Sequence, residues 1–181
     1  MTMTTVRTDR SLTRYDWEVD TLERRGGMAS VQKTARYTTL RVTDRQPTAS
    51  HPSWESSIQA WLSADGTVTV RSHCAPPALL VSATGARLLP PTPDSEETTS
   101  LDEGDVLLLC SAAVLDSVPT GLGEILGWSP RRVGAQEPGA LLEHLMADAE
   151  QGAAALIRCV DTHGTPATGP APGTTPTEED R

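Results

Sequence analysis

The chain has no phenylalanine and a single lysine, Lys33, among its 181 residues. That bias points to a high-GC genome and says nothing about chemistry. Its three cysteines, Cys74, Cys110 and Cys159, are odd in number and lie in apolar or semi-apolar contexts. A disulfide framework is therefore disfavoured, and reduced thiols acting as small buried hydrophobes are expected. No apolar run of signal-peptide or membrane-spanning length is present, so neither secretion nor membrane insertion is supported, and a cytoplasmic location is expected. Nor is there a basic excess. The formal net charge of −9 disfavours nucleic acid, whose phosphates attract cationic patches. The pairs Arg24-Arg25 and Arg131-Arg132 read as solvated faces.

Signatures of chemistry are missing too. No cysteine has an arginine six positions later, since Cys74 leads to Leu80 and Cys110 to Asp116, so there is no cysteine-based phosphate loop. Ser111 lacks the glycine-flanked elbow that would make it a nucleophile served by His73 or His144. Gly121-Leu122-Gly123 has neither the third glycine nor the Lys-Ser/Thr ending of a nucleotide-binding loop. His73 and Cys74 are adjacent without a second closely spaced pair, and His51, His144 and His163 are scattered, so a structural zinc site is not indicated. No cofactor and no bound metal are expected.

Three regions follow from what is present. Residues 1–34 read as an N-terminal extension with a short helix at 16–25, which has acids in its first turn, arginines in its last and glycine after it. Residues 35–161 read as one domain. Residues 162–181, rich in Pro, Gly and Thr, read as a disordered tail. Within the domain, Tyr37 to Val42 reads as a strand. Ile58, Ala60 and Leu62, then Asp65-Gly66, then Val68 and Val70, read as a tight β-hairpin. A second hairpin spans Leu79–Ser82 and Ala86–Leu89 about Thr84-Gly85, and Pro90 to Ser100 reads as a connection. Val106 to Cys110 reads as a buried strand, residues 139–149 as an amphipathic helix and Ala153 to Val160 as a last strand. The fold class is α+β, a partial β-sandwich with flanking helices.

The stretch Leu101 to Ser117, LDEGDVLLLCSAAVLDS, joins an acidic-Gly-Asp turn (Glu103, Gly104, Asp105) to the strand Val106–Cys110. It resembles the metal-dependent protein phosphatases of the type 2C class, bacterial sporulation stage II protein E branch, in which this turn and strand end in Thr-Asp-Gly. Here the triplet is Ser111-Ala112-Ala113. Upstream, Trp54 to Val81 resembles the family's two-strand unit and Gly-His-x-Pro-Pro loop, represented by Ser72-His73-Cys74-Ala75-Pro76-Pro77. Downstream, Gln151-Gly152 stands where the family usually has Asp-Asp or Asp-Asn. The family's earlier acidic motif would lie before Trp54, where the nearest glycine pair, Gly26-Gly27, has no adjacent aspartate.

The resemblance covers roughly residues 35–160. It implies a degenerate, N-terminally truncated relative whose metal-ligating aspartates are gone, because alanine and glycine offer a hard cation no oxygen ligand. The implied function is a non-catalytic, protein-binding regulatory module in partner-switching, sigma-factor or developmental signalling. Its partner is expected to be a phosphoprotein regulator, a kinase or an active phosphatase. The former active-site rim supplies the candidate interaction residues His73, Pro76, Pro77, Ser111, Ala112, Ala113, Leu122 and Trp128. Two alternatives remain. One is an assembly subunit whose incomplete sandwich is completed by a partner or by a second copy, and the other is a weak metal-dependent Ser/Thr phosphatase.

Overall fold

Alternation of side chains organises most of the molecule. The computed structural model describes residues 15–45, 55–118 and 138–161. Strands β3 (Tyr37–Arg45), β4 (Glu55–Ser63) and β5 (Thr67–His73) form an antiparallel meander. Leu40, Val42, Ile58, Ala60, Leu62, Val68 and Val70 occupy every second position on its inner face. Gly66, at φ +84°, lets the β4–β5 turn close, and its N–H donates to the Ser63 carbonyl at 3.1 Å. β2 (Arg25–Lys33) pairs with β3 on one side and β8 (Glu96–Ser100) pairs with β5 on the other, which completes a five-stranded sheet.

The second sheet runs β1–β10–β9–β6–β7, with β1 at Tyr15–Glu23, β6 at Ala78–Ser82, β7 at Gly85–Leu89, β9 at Val106–Cys110 and β10 at Gln151–Asp161. Both faces of this sheet are covered, which explains why β9 is apolar throughout. Leu107 and Leu109 face the first sheet, while Val106, Leu108 and Cys110 face the helices. Those helices are α1 (Ala112–Ser117) and α2 (Pro138–Leu145), whose Leu141, Leu142 and Leu145 pack with Met146 on the outer side of this sheet. No described helix covers the outer face of the first sheet, where Thr39, Arg41, Gln59, Trp61 and Thr69 are half-buried and Arg71 is exposed. The described residues thus form the expected partial β-sandwich with helices flanking one of its sheets.

Several sequence expectations are corrected. Residues 16–25 are not a helix but the strand β1 and the start of β2. Their pattern Tyr15, Trp17, Val19 against Asp16, Glu18 has the period of a strand, and the three apolar residues pack on the inter-sheet core. The segment before Trp54 thus contributes three of the ten strands. Pro90 to Ser100 contains the edge strand β8, which is wholly polar (EETTS) and is held by Thr69 Oγ1 to Thr98 Oγ1 at 2.8 Å and by Arg87 on Glu97 and Thr99 at 2.8 and 2.9 Å. The helix expected at 139–149 is described over 138–145. Cys110 and Cys159 are buried free thiols as expected, but Cys74 is exposed. The first 14 residues of the expected N-terminal extension and the expected disordered tail 162–181 lie outside the described residues.

The two sheets meet where β10 runs briefly parallel to β2, at Gln151 opposite Arg25 and Gly152 opposite Gly26. Backbones touch there. A Cβ on Gly27 would fall 2.0 Å from the carbonyl carbon of Gly152 and 2.4 Å from the Ala153 nitrogen. Before β9, Asp105 anchors the acidic turn, accepting from the Asp102 N–H at 3.0 Å while its own carbonyl accepts from the Cys159 N–H at 3.0 Å. Burial pushes the Asp105 carboxyl above its ordinary pKa, although the Asp102 hydrogen bond lowers it and the Asp102 charge raises it.

Gly27→Ala should cost at least about 3 kcal/mol or abolish folding, since neighbouring backbone cannot move aside as a side chain does. By contrast Gly139→Ala, whose Cβ meets nothing within 4 Å, should be stabilising by roughly 0.4–1 kcal/mol in denaturant titrations. Asp105 supplies a pH dependence. Its folded pKa lies above its unfolded value, so its contribution to stability falls as the pH rises through that interval. Asp105→Asn should flatten this fall between about pH 4 and neutrality, measured by urea unfolding at each pH.

Candidate functional site

Four chain segments converge at the corner where the sheets meet. Ser111-Ala112-Ala113 leaves β9 and opens α1. Ser111 sits at the N-cap of α1 but does not cap it. Its hydroxyl instead accepts the Ala153 N–H at 3.1 Å, and its own N–H donates to the Ala153 carbonyl at 2.9 Å, tying the start of the helix to β10. Gly152, at φ +106°, lies directly against it, and a Cβ there would fall 2.5 Å from Ser111 Oγ and 2.8 Å from Val114 Cγ2. The third segment is Gly26-Gly27, packed on Gly152.

The fourth segment is the end of β3, and it carries a residue that sequence reasoning missed. Asp44 is 4% exposed, and its Oδ2 accepts the Ala113 N–H at 3.2 Å, across 69 positions of sequence. Its signal was available. Leu40, Val42 and Asp44 continue one alternating row, so the pattern itself directs a carboxylate onto the core face. Ser56, paired with Asp44 across β3–β4, and Ser72, paired with Ile58 across β4–β5, end the neighbouring inward rows. The hydroxyls of Ser56 and Ser72 have no hydrogen-bond partner among the described residues, and Ser72 is 1% exposed. The inter-sheet core therefore ends in a polar patch of Asp44, Ser56, Ser72 and Ser111. Beside it, burial first and the Asp44 charge second push the Cys110 thiol up to about 12, so it stays protonated and unreactive.

The expected rim is only partly brought together. Ala112 and Ala113 are half-buried at the corner, and His73 is exposed at the end of β5 with Pro76 and Pro77 half-buried after it. Ser111 is 2% exposed with its hydroxyl engaged, so it is a brace and not a contact residue. Leu122 and Trp128 lie outside the described residues. A separate cavity of about 580 Å³ sits at the opposite end of β3, between Tyr15, Lys33, Arg36 and Tyr37, away from Asp44.

The resemblance implies two bridging divalent cations, a role that needs several oxygen ligands arranged around hard ions. Among the described residues this corner supplies one carboxylate, Asp44, and one of its oxygens is already engaged by the Ala113 N–H. Ala112, Ala113 and Gly152 present no side-chain donor. These residues do not fit a two-metal site.

No protein-family profile and no curated protein matches the chain. Solved structures do. The phosphatase domain with a regulatory fragment of SpoIIE from Bacillus subtilis superposes with a TM-score of 0.63 at 9% identity, over 83% of this chain and 65% of that one. The RsbU and RsbW domains of a Mycobacterium tuberculosis protein give 0.60 at 14% identity, over 83% of this chain and 62% of that one. This chain thus spans less than two thirds of both. Against the SpoIIE phosphatase domain alone the TM-score is 0.58 at 11% identity, over 89% of this chain and 98% of that one. Together with the paired five-stranded sheets and the turn-strand-helix at 101–117, these likenesses identify the chain's fold as that of the PP2C-type phosphatase domains.

Proposed function

We propose that this chain is a non-catalytic module of PP2C-type fold that acts by binding a protein in bacterial, cytoplasmic regulatory signalling. The observation that carries this reading is the state of the corner. A phosphatase of this fold needs its carboxylates to converge, and here Asp44 accepts the Ala113 backbone N–H while alanine and glycine stand at 112, 113 and 152. The loss is steric as well as chemical. An aspartate at position 152 would adopt the glycine-favouring φ of +106° and drive its Cβ into Ser111 Oγ, so a single substitution does not restore a ligand there.

The partner class follows from the company the fold keeps. One similar structure holds RsbU and RsbW domains together, and another belongs to the bacterial stressosome, a modular system that controls secondary-messenger signalling. A phosphoprotein regulator, a kinase or an active phosphatase fits that setting. His73, Pro76, Pro77, Ala112 and Ala113 form the described part of the contact surface, and Leu122 and Trp128 extend it in the proposed reading. An assembly role, with a second copy or another chain completing the sheet, is favoured by one feature. Beyond Gly26 strand β2 pairs only with β3 among the described strands, and it exposes Met28 at 40% and Val31 at 47%.

Phosphopeptide hydrolysis with Mn²⁺ or Mg²⁺ should not exceed the rate without protein. Metal-dependent turnover that Asp44→Ala abolishes would overturn the non-catalytic reading and restore that of a weak phosphatase. Capture from the native cytoplasm should recover a regulator, a kinase or a phosphatase, with binding lost in Ala113→Arg and kept in Val31→Pro. The reverse pattern, accompanied by a change in mass by light scattering, favours the assembly role.

A further inference from the structure

We propose that His73, Cys74 and Asp94 form a zinc site with three protein ligands and one open coordination position. This goes beyond the binding role and does not depend on it. His73 ends β5, Cys74 follows it and Asp94 lies in the connection before β8, so the tertiary structure joins what a 20-residue separation hides. Ligand atoms of all three lie within 4.8 Å of one another, and this is the one cluster of metal-ligating side chains that does so among the described residues. His73 Nδ1 and Asp94 Oδ1 are 3.7 Å apart. Tetrahedral zinc, with bonds of about 2.0–2.3 Å, holds its ligand atoms roughly 3.3–3.8 Å apart. That pair is already at ligand spacing, and a small side-chain rotation closes the rest.

The backbone is committed to the arrangement. Cys74 and Asp94 are the two non-glycine residues with positive φ among the described residues, at 48° and 54°. Aspartate tolerates the left-handed conformation but cysteine rarely adopts it, and such outliers gather where a site holds them. The Cys74 N–H donates to Asp94 Oδ1 at 2.5 Å, which fixes the carboxylate against the loop, and a carboxylate oxygen that accepts one N–H keeps a second lone pair for a cation. Neighbouring Ser72 donates its N–H to the Ser95 carbonyl at 3.1 Å, so the two segments are pinned together on the other side as well.

The donor set selects the metal. One thiolate, one imidazole and one carboxylate suit zinc, whereas magnesium and calcium demand oxygen throughout. Cys74 is the exposed thiol of the three, so it is available for deprotonation by a metal, unlike Cys110 and Cys159. All three ligands are exposed, and three protein ligands leave the fourth tetrahedral position to water. The site lies on the outer face of the first sheet. Register places Thr43, Ser57 and His73 side by side, about two strand spacings, or roughly 10 Å, from the β3 end that carries Asp44.

The test is thiol modification of the full, metal-stripped chain by a disulfide reagent, with and without Zn²⁺, followed by equilibrium dialysis. One of the three thiols should react in the folded protein, and one equivalent of Zn²⁺ should block it while Mg²⁺ does not. His73→Ala and Asp94→Asn, checked for folding by circular dichroism, should keep the reactive thiol. Each should raise the Zn²⁺ concentration needed for protection by more than the roughly 10- to 100-fold that loss of an outer-shell partner costs. His144→Ala should leave it unchanged. The proposal fails if excess Zn²⁺ does not slow the reaction, if Mg²⁺ protects equally, or if either ligand variant is protected like the parent chain.

Discussion

The approach of Gly27 to Gly152 is the constraint on which the rest of the structure depends. Two sheets of opposite parentage in the chain, one built mainly from residues 25–73 and the other mainly from 78–161, are joined at a single parallel pairing of two residues on each strand. That pairing brings backbone closer than a Cβ on Gly27 permits, while glycine at 152 is required by its φ of +106° and by Ser111 and Val114 on its other side. Once this corner closes, the two inner faces lie opposite each other. Leu40, Val42, Ile58, Val68 and Val70 then bury against Leu80, Leu107, Leu109 and Ile157. Alanines at 153 and 155 keep β10 thin where the sheets converge.

The same closure determines what the candidate site can be. Gly152 of β10 packs against Ser111 and Val114, and the Ser111 hydroxyl accepts the Ala153 N–H of the same strand. Asp44 sits there as a buried carboxylate whose Oδ2 accepts the Ala113 N–H. Among the described residues no helix covers the outer face of the first sheet, and β2 exposes Met28 and Val31 at its edge.

The hairpins were legible because their physics is local. Ile58 to Val70 announces two alternating rows about Asp65-Gly66, and no distant contact is needed to place the turn. The helix expected at 16–25 failed for a related reason. Acids before arginines before glycine satisfy the rules for helix ends, but the alternation Tyr15, Trp17, Val19 suits a strand, and pairing with β10 over nine residues outweighs end effects worth a few tenths of a kcal/mol each. Strand β8 was illegible because EETTS has no apolar row, and hydrogen bonds from β5 and Arg87 define it. Asp44 was passed over because an isolated aspartate near the end of a strand reads as solvated unless its row is followed inward.

By itself the sequence determined the strands whose side chains alternate, the covered strand Val106–Cys110, the amphipathic helix after it and the likeness of 101–117 to a phosphatase turn, since each rests on periodicity or on residues adjacent in the chain. Tertiary structure alone decided which polar groups meet. Asp44 reaches Ala113 across 69 residues and Cys74 reaches Asp94 across 20, and such contacts are set by sheet register and closure, which no local pattern encodes.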